Sequence, residues 1–94
     1  MYVLARHEIS DPEGFVAAEE SLEAEVEENG WPAGIRSNPI TLFSPDHRNE
    51  FCLFDADSIE AVRDLLEQKL GQPWSNNSYV EIDAESIPVA NAIT

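Results

Sequence analysis

The chain has 94 residues, of which 43% are hydrophobic, and it carries nineteen Asp and Glu against five Lys and Arg, for a formal net charge of −14. This length predicts a single domain with a modest core, and the hydrophobic content is that of a globular rather than a disordered protein. Because so negative a surface repels phosphate backbones and anionic headgroups, we expect neither nucleic acid nor a membrane among its partners.

The N-terminal stretch "MYVLARHE" has neither a basic segment nor a long apolar run, and no apolar window approaches the roughly 18 residues of a membrane span. We therefore expect a cytoplasmic protein. The single cysteine, Cys52, cannot form an intrachain disulfide, and its place in the apolar run "FCLFDA" predicts a buried thiol.

The first half of the chain predicts a strand followed by a helix. Residues 2–9 are rich in strand-forming side chains. Asp11 is a good N-cap and Pro12 suits the first helical position. Apolar residues then recur at helical spacing: Phe15, Ala18, Leu22 and Val26. The helix is expected to end at the "NG" of residues 29–30, where Gly30 can adopt a left-handed conformation.

Two strands are predicted next. In residues 35–43, "IRSNPITLF", Pro39 cannot donate a ladder hydrogen bond, which indicates an edge strand or a bulge. The composition of residues 44–49 is that of a turn. Residues 50–56, "EFCLFDA", are apolar almost throughout, which favours a central strand.

The last predicted elements are a second helix and a fourth strand. Asp57 is the expected N-cap, with Glu60 three residues later. The apolar stripe contains Ile59, Val62, Leu66 and Leu70, and Gly71 is expected to end the helix. Residues 78–83 predict the fourth strand, and residues 84–94 have no clear period and predict a loosely structured tail.

The order βαββαβ predicts one ferredoxin-like α+β domain over residues 1–94, with two helices on one face of a four-stranded antiparallel sheet. Right-handed crossovers place the first and third strands in the middle. The third strand has apolar residues on both sides, so the sheet face without helices is expected to be apolar. We expect that face to pair with another copy in a two-fold homodimer.

The stretches "YVLARHEISDP" and "FCLFDADSIEAVRDLL", in a chain of this length and order, resemble the dimeric α/β-barrel superfamily over residues 2–83. Within it, the chain is similar to small uncharacterised and nickel-binding members. That resemblance implies a histidine on or near the sheet as a metal ligand, and His7 is the position that matches. The superfamily also holds monooxygenases and stress-responsive proteins. The second helix, "IEAVRDLLEQKLG", lacks the further histidine that such nickel-binding relatives often have there.

The cluster "RHE" at the end of the first strand holds the foremost candidate site residues. Strand alternation places His7 on the side of Val3 and Ala5, and Arg6 with Glu8 on the other side. His7 is either a solvated or structurally hydrogen-bonded residue, a ligand or metal-binding residue, or a general base.

The second histidine, His47, lies in the predicted turn "SPDHRN". A turn histidine is commonly solvated, but His7 and His47 would form half of a nickel or zinc site if the fold joined them. No third protein ligand stands out from the sequence.

Aromatic residues and one arginine complete the candidate set. Phe54, Trp74 and Tyr79 would line a small-molecule pocket, or would seal the edges of the core or a dimer seam. Arg36, one of few cations, is either paired with a carboxylate or directed at an anionic ligand.

No glycine-rich phosphate loop, nucleophile elbow, CxxC or HExxH motif occurs. The expected function is therefore a non-catalytic homodimeric module that binds a small ligand or a metal, or that serves assembly. The alternative is a cofactor-free monooxygenase or an isomerase, which would use a barrel cavity with His7 or Arg6 as its polar group.

Overall fold

The computed structural model describes residues 1–87, and the predicted elements are present in the predicted order. The strands are β1 (Tyr2–Ile9), β2 (Ile35–Phe43), β3 (Asn49–Ala56) and β4 (Ser75–Ile82). The helices are α1 (Pro12–Asn29) and α2 (Ile59–Leu70), and a short 3-10 helix, Ala84–Ser86, follows β4. The last residues of the predicted tail, 88–94, lie outside the described part.

The four strands form one antiparallel sheet in the order β2-β3-β1-β4, which confirms the ferredoxin-like α+β fold and the central position of β1 and β3. Strand β2 is an edge strand. Its register with β3 shifts between Ile35 and Ser37 and again before Ile40, around Pro39. Both structural roles expected of that proline are therefore present in this strand.

The helix ends follow the chemistry of their caps, with one correction. Asp11 caps α1 by accepting a hydrogen bond from Gly14 N at 3.1 Å, and Gly30 ends the helix with a φ of 76°. The prediction of Asp57 as the N-cap of α2 was wrong. Ser58 is the cap and accepts from Ala61 N at 3.1 Å, while Asp57 pairs with Arg36.

Strand β4 begins at Ser75, three residues before the predicted start at residue 78. Its first residues, "SNN", are turn formers with poor strand propensity. They are extended because they pair with β1, where Ser75 lies opposite Ile9 and Asn77 opposite His7. Pairing with a central strand has thus overridden the local preference.

The core lies between the sheet and the helices. It contains the helix-facing residues of β1 and β3, the stripe of α2, and Phe15 and Leu22 of α1. The opposite sheet face, here called the open face, carries an apolar row across all four strands: Ile40, Leu53, Leu4 and Val80. Val80 is 53% exposed, so the open face has an accessible apolar surface. Within residues 1–87, neither helix has the length and apolar character needed to cross a bilayer.

Candidate functional site

Strand register builds a polar row on the helix-facing side of the sheet. Asn77 of β4 lies opposite His7 of β1, and His7 lies opposite Glu50 of β3. Cys52 stands two residues beyond Glu50 and therefore on the same side of β3. Three strands thus bring polar side chains into a layer that is otherwise filled by apolar residues.

His7, Glu50 and Cys52 form a compact buried cluster. One ligand atom from each, namely a ring nitrogen, a carboxylate oxygen and the thiol sulfur, lies within 4.8 Å of the other two. His7 and Glu50 are 0% exposed and Cys52 is 4% exposed. The Cys52 thiol donates to Glu50 Oε1 at 3.0 Å. Burying these groups costs free energy unless each finds a partner.

Hydrogen bonds around Asn77 fix the tautomer of His7. The Asn77 amide nitrogen donates to Glu67 Oε2 at 2.8 Å and to the Leu70 carbonyl at 3.2 Å, so its oxygen must face the histidine. His7 Nδ1 lies 2.6 Å from Asn77 Oδ1 and therefore donates to it. The other ring nitrogen, Nε2, is left with a free lone pair when the ring is neutral.

Two buried atoms of the cluster lack a hydrogen-bond partner among the described residues: His7 Nε2 and Glu50 Oε2. A protonated Glu19 carboxyl hydrogen-bonds Glu50, which can satisfy an oxygen of that carboxylate but does nothing for the histidine nitrogen. Buried polar atoms in native proteins are nearly always partnered, so the His7 nitrogen indicates that a further group binds within this cluster.

The surroundings favour the neutral forms of the His7 imidazole and the Cys52 thiol. Burial lowers the pKa of His7, although the hydrogen bond to Asn77 and the charges of Glu50 and Glu67 oppose that shift. Burial also raises the pKa of the Cys52 thiol, with a further contribution from Glu50. His7 is therefore a neutral imidazole near neutral pH, which is the form that binds metals.

A cavity of about 530 Å³ adjoins the cluster, between α1 and the β2–β3 side of the sheet. Cys52 forms part of its wall, and three glutamates one turn apart on α1 line it: Glu19, Glu23 and Glu27. Burial, the hydrogen bond with Glu50 and the neighbouring carboxylates raise the pKa of Glu19 to about 9. The cavity wall is otherwise mainly apolar, and it includes Phe54 and Trp31.

The structure separates the charged residues that the sequence offered as candidates. Arg6 is on the open face, where it pairs with Glu8 at 3.1 Å and donates to Asn49. Arg36 pairs with two aspartates, Asp55 at 2.7 Å and Asp57 at 2.5 Å. His47 lies in the exposed β2–β3 turn, where its ring is 5.3 Å from that of Phe43. His47 does not belong to the cluster that contains His7.

The aromatic candidates also divide. Phe54 is 2% exposed and packs edge-to-face on Trp31, with ring centroids 5.8 Å apart. Trp74 packs against the core beside Gly14, away from the cavity wall. Tyr79 donates to Glu67, the same carboxylate that accepts from Asn77. Tyr79 therefore supports the cluster indirectly and is not part of the cavity wall.

Sequence reasoning overlooked Glu50, Cys52, Asn77 and Glu19 as site residues. A signal existed for Glu50, because alternation in "EFCLFDA" places this carboxylate on the same side as Cys52 and Phe54. A carboxylate on the apolar side of a central strand must be buried. No comparable signal existed for Asn77, whose segment is a loop by composition.

No protein-family model matches the chain, and no curated protein matches it.

Proposed function

We propose that the protein binds a divalent transition-metal ion through His7 Nε2, a Glu50 carboxylate oxygen and Cys52 Sγ. One observation carries this proposal: His7, Glu50 and Cys52 bring one ligand atom each within 4.8 Å of the others, and the same buried cluster holds the unpartnered His7 Nε2. A water molecule could satisfy that nitrogen. A metal ion also accounts for the carboxylate and the thiol at the same point.

The donor set favours zinc or nickel over magnesium or calcium. An imidazole nitrogen and a thiolate are ligands of the late first-row metals, whereas magnesium and calcium take oxygen ligands almost exclusively. Binding would deprotonate Cys52, since a coordinated thiol loses its proton to the ion's charge. The raised pKa of the free thiol is thus no obstacle, but it lowers the apparent affinity.

The hydrogen bonds behind His7 support the same role. Metal-binding histidines commonly donate their second ring nitrogen to a carbonyl or carboxylate, which fixes ring orientation. His7 does so to Asn77, and Asn77 is in turn held by Glu67 and the Leu70 carbonyl. The ring is therefore oriented before any ion arrives, which reduces the entropy lost on binding.

Calorimetric titration of chelator-treated protein with zinc and nickel tests the proposal. We expect one ion per chain with at least micromolar affinity, and a loss of about 100-fold or more in the His7→Gln and Cys52→Ser variants. The matched control is His47→Gln, which removes the other histidine and should leave the affinity unchanged. Affinity no tighter than millimolar in the unaltered protein, or an equal loss in the control, would contradict the proposal.

The homodimer expected from the sequence stays a prediction. The apolar row Ile40, Leu53, Leu4 and Val80 supports it, because an accessible apolar face is a surface that a second copy could cover. Sedimentation velocity over a range of concentrations measures the oligomeric state directly. The metal proposal does not depend on that outcome, because its ligands lie on the opposite side of the sheet.

A further inference from the structure

We infer that the metal keeps one coordination position open toward the cavity beside α1, and that this position accepts small molecules with a neutral nitrogen donor, such as an amine or imidazole, in preference to anions. The inference rests on the proposed metal site. It adds the class of ligand that reaches the ion.

The number of protein ligands leaves room for an external one. Three side chains come together within 4.8 Å, and among the described residues no fourth metal-binding side chain joins that group. Zinc and its neighbours are four-coordinate or higher in proteins, and sites with three protein ligands keep the remaining position for water or substrate. The fourth ligand would therefore come from outside the cluster.

The cavity provides the approach. Its wall includes Cys52, so its space adjoins one of the three residues that would bind the ion. Its volume of about 530 Å³ is within the range of roughly 300–1,000 Å³ that is usual for small-molecule sites. The wall combines apolar side chains with few polar ones: Leu22, Val26, Trp31, Phe54, Leu66 and Leu70 are the apolar part. Such a wall suits the carbon skeleton of a compact ligand.

Charge decides which donors can enter. Besides the protonated Glu19, the cavity is lined by Glu23 and Glu27 from successive turns of α1, and no lysine or arginine is among its lining residues. The acidic side chains of this wall would repel anionic donors such as azide or a carboxylate. A neutral imidazole or amine would enter without that repulsion. Glutamates at this position would also hold an ammonium group elsewhere on the same ligand.

Cobalt-loaded protein provides the test, with imidazole and sodium azide as probes. The thiolate-to-cobalt absorption band reports the metal site, and the visible ligand-field bands report a change of the external ligand. We expect imidazole to shift the ligand-field bands saturably, and azide to require roughly tenfold or higher concentration. An absent thiolate band would refute the metal site itself. A normal thiolate band with no imidazole response would refute the open position alone.

Two matched pairs of variants on α1 locate the route. Val26→Trp fills the cavity and should weaken imidazole binding. Val16 is 50% exposed and lies outside the cavity wall, so Val16→Trp should leave imidazole binding unchanged. Glu23→Lys should narrow the difference between azide and imidazole, and Glu20→Lys, also outside the wall, should change it less. Because the Glu23 and Glu20 side chains are exposed, both charge variants should fold normally. Equal behaviour within both pairs would overturn the proposed route.

Discussion

On the open face of the sheet Arg6 pairs with Glu8 in contact with solvent, whereas the residue between them, His7, is fully buried on the helix-facing side. The difference arises from the two-residue period of a strand, which sends neighbours to opposite sides. On the open face water can solvate a charged side chain, so that side chain does not need a particular hydrogen-bond partner. On the helix-facing side each polar atom needs a partner, so unpartnered atoms there carry information about function.

The largest expected effect on stability comes from comparing substitutions of one apolar residue on each side of the sheet. Phe54→Ala removes a side chain that is 2% exposed and should lower the free energy of unfolding by about 3–5 kcal/mol, because it leaves a void against Trp31. Val80→Ala, at a residue 53% exposed on the open face of the single chain, should change it by about 0.5 kcal/mol or less at protein concentrations low enough for the chain to be monomeric. Urea denaturation measures both values.

That pair of variants also bears on assembly. If the open face is covered by a second copy, Val80→Ala should cost more than a surface substitution does, and the cost should depend on protein concentration. A small, concentration-independent effect of Val80→Ala would contradict the predicted dimer through this face.

The second expected effect is the stabilisation of the folded chain by zinc. At free zinc about 100-fold above the dissociation constant, the free energy of unfolding should rise by about 2.7 kcal/mol, because the ion binds the assembled cluster in preference to the unfolded chain. Cys52→Ser should lose most of this gain. Arg6→Gln, on the other side of β1, should keep it. Thermal denaturation with and without chelator measures the gain, and equal gains in both variants would place the ion elsewhere.

The third effect is smaller and concerns the cost of the unoccupied cluster. In the presence of chelator, Glu50→Met should leave the free energy of unfolding unchanged or raise it by about 1 kcal/mol, because it replaces a fully buried carboxyl by an apolar chain of similar length. The same substitution should abolish the zinc effect. Glu81→Met, at an exposed position of β4, is the matched control.

A marked loss of stability in chelated Glu50→Met would contradict this expectation. It would show that the hydrogen bonds of Glu50 to Cys52 and Glu19 stabilise the fold by themselves. The cluster would then have a structural role that does not need an ion.

The sequence was sufficient for the fold but not for the site, and the reason is physical. Periodicity and caps act over a few residues, so Asp11, Pro12 and Gly30 located α1 correctly. The site depends on register between strands that are distant in sequence, such as His7 with Asn77, 70 residues apart. The burial of Glu50 could have been inferred from strand alternation. Its proximity to His7 required the register between β1 and β3, which local patterns do not specify.

The smallest expected effect concerns a solvent-exposed ion pair, that of Arg36 on the edge strand β2 with Asp55. Its guanidinium lowers the pKa of Asp55 below the ordinary value of 3.8, mainly through their hydrogen bond. A carboxyl with a lowered pKa stabilises the fold above its unfolded-state value, and that contribution is lost as the pH falls through the lowered value. Arg36→Gln should therefore reduce stability slightly at neutral pH, and this reduction should disappear as the pH falls through the lowered pKa of Asp55.

The dependence of stability on salt distinguishes the Arg36–Asp55 ion pair from the buried cluster. At about 1 M salt the screening length is only about 3 Å, so the difference between Arg36→Gln and the unaltered chain should nearly vanish at neutral pH. His7 and Glu50 are fully buried, so salt screens their interactions much less, and the effect of Glu50→Met in the presence of chelator should change little with salt. A salt-resistant effect of Arg36→Gln would mean that Arg36 is shielded from solvent by something beyond the described residues.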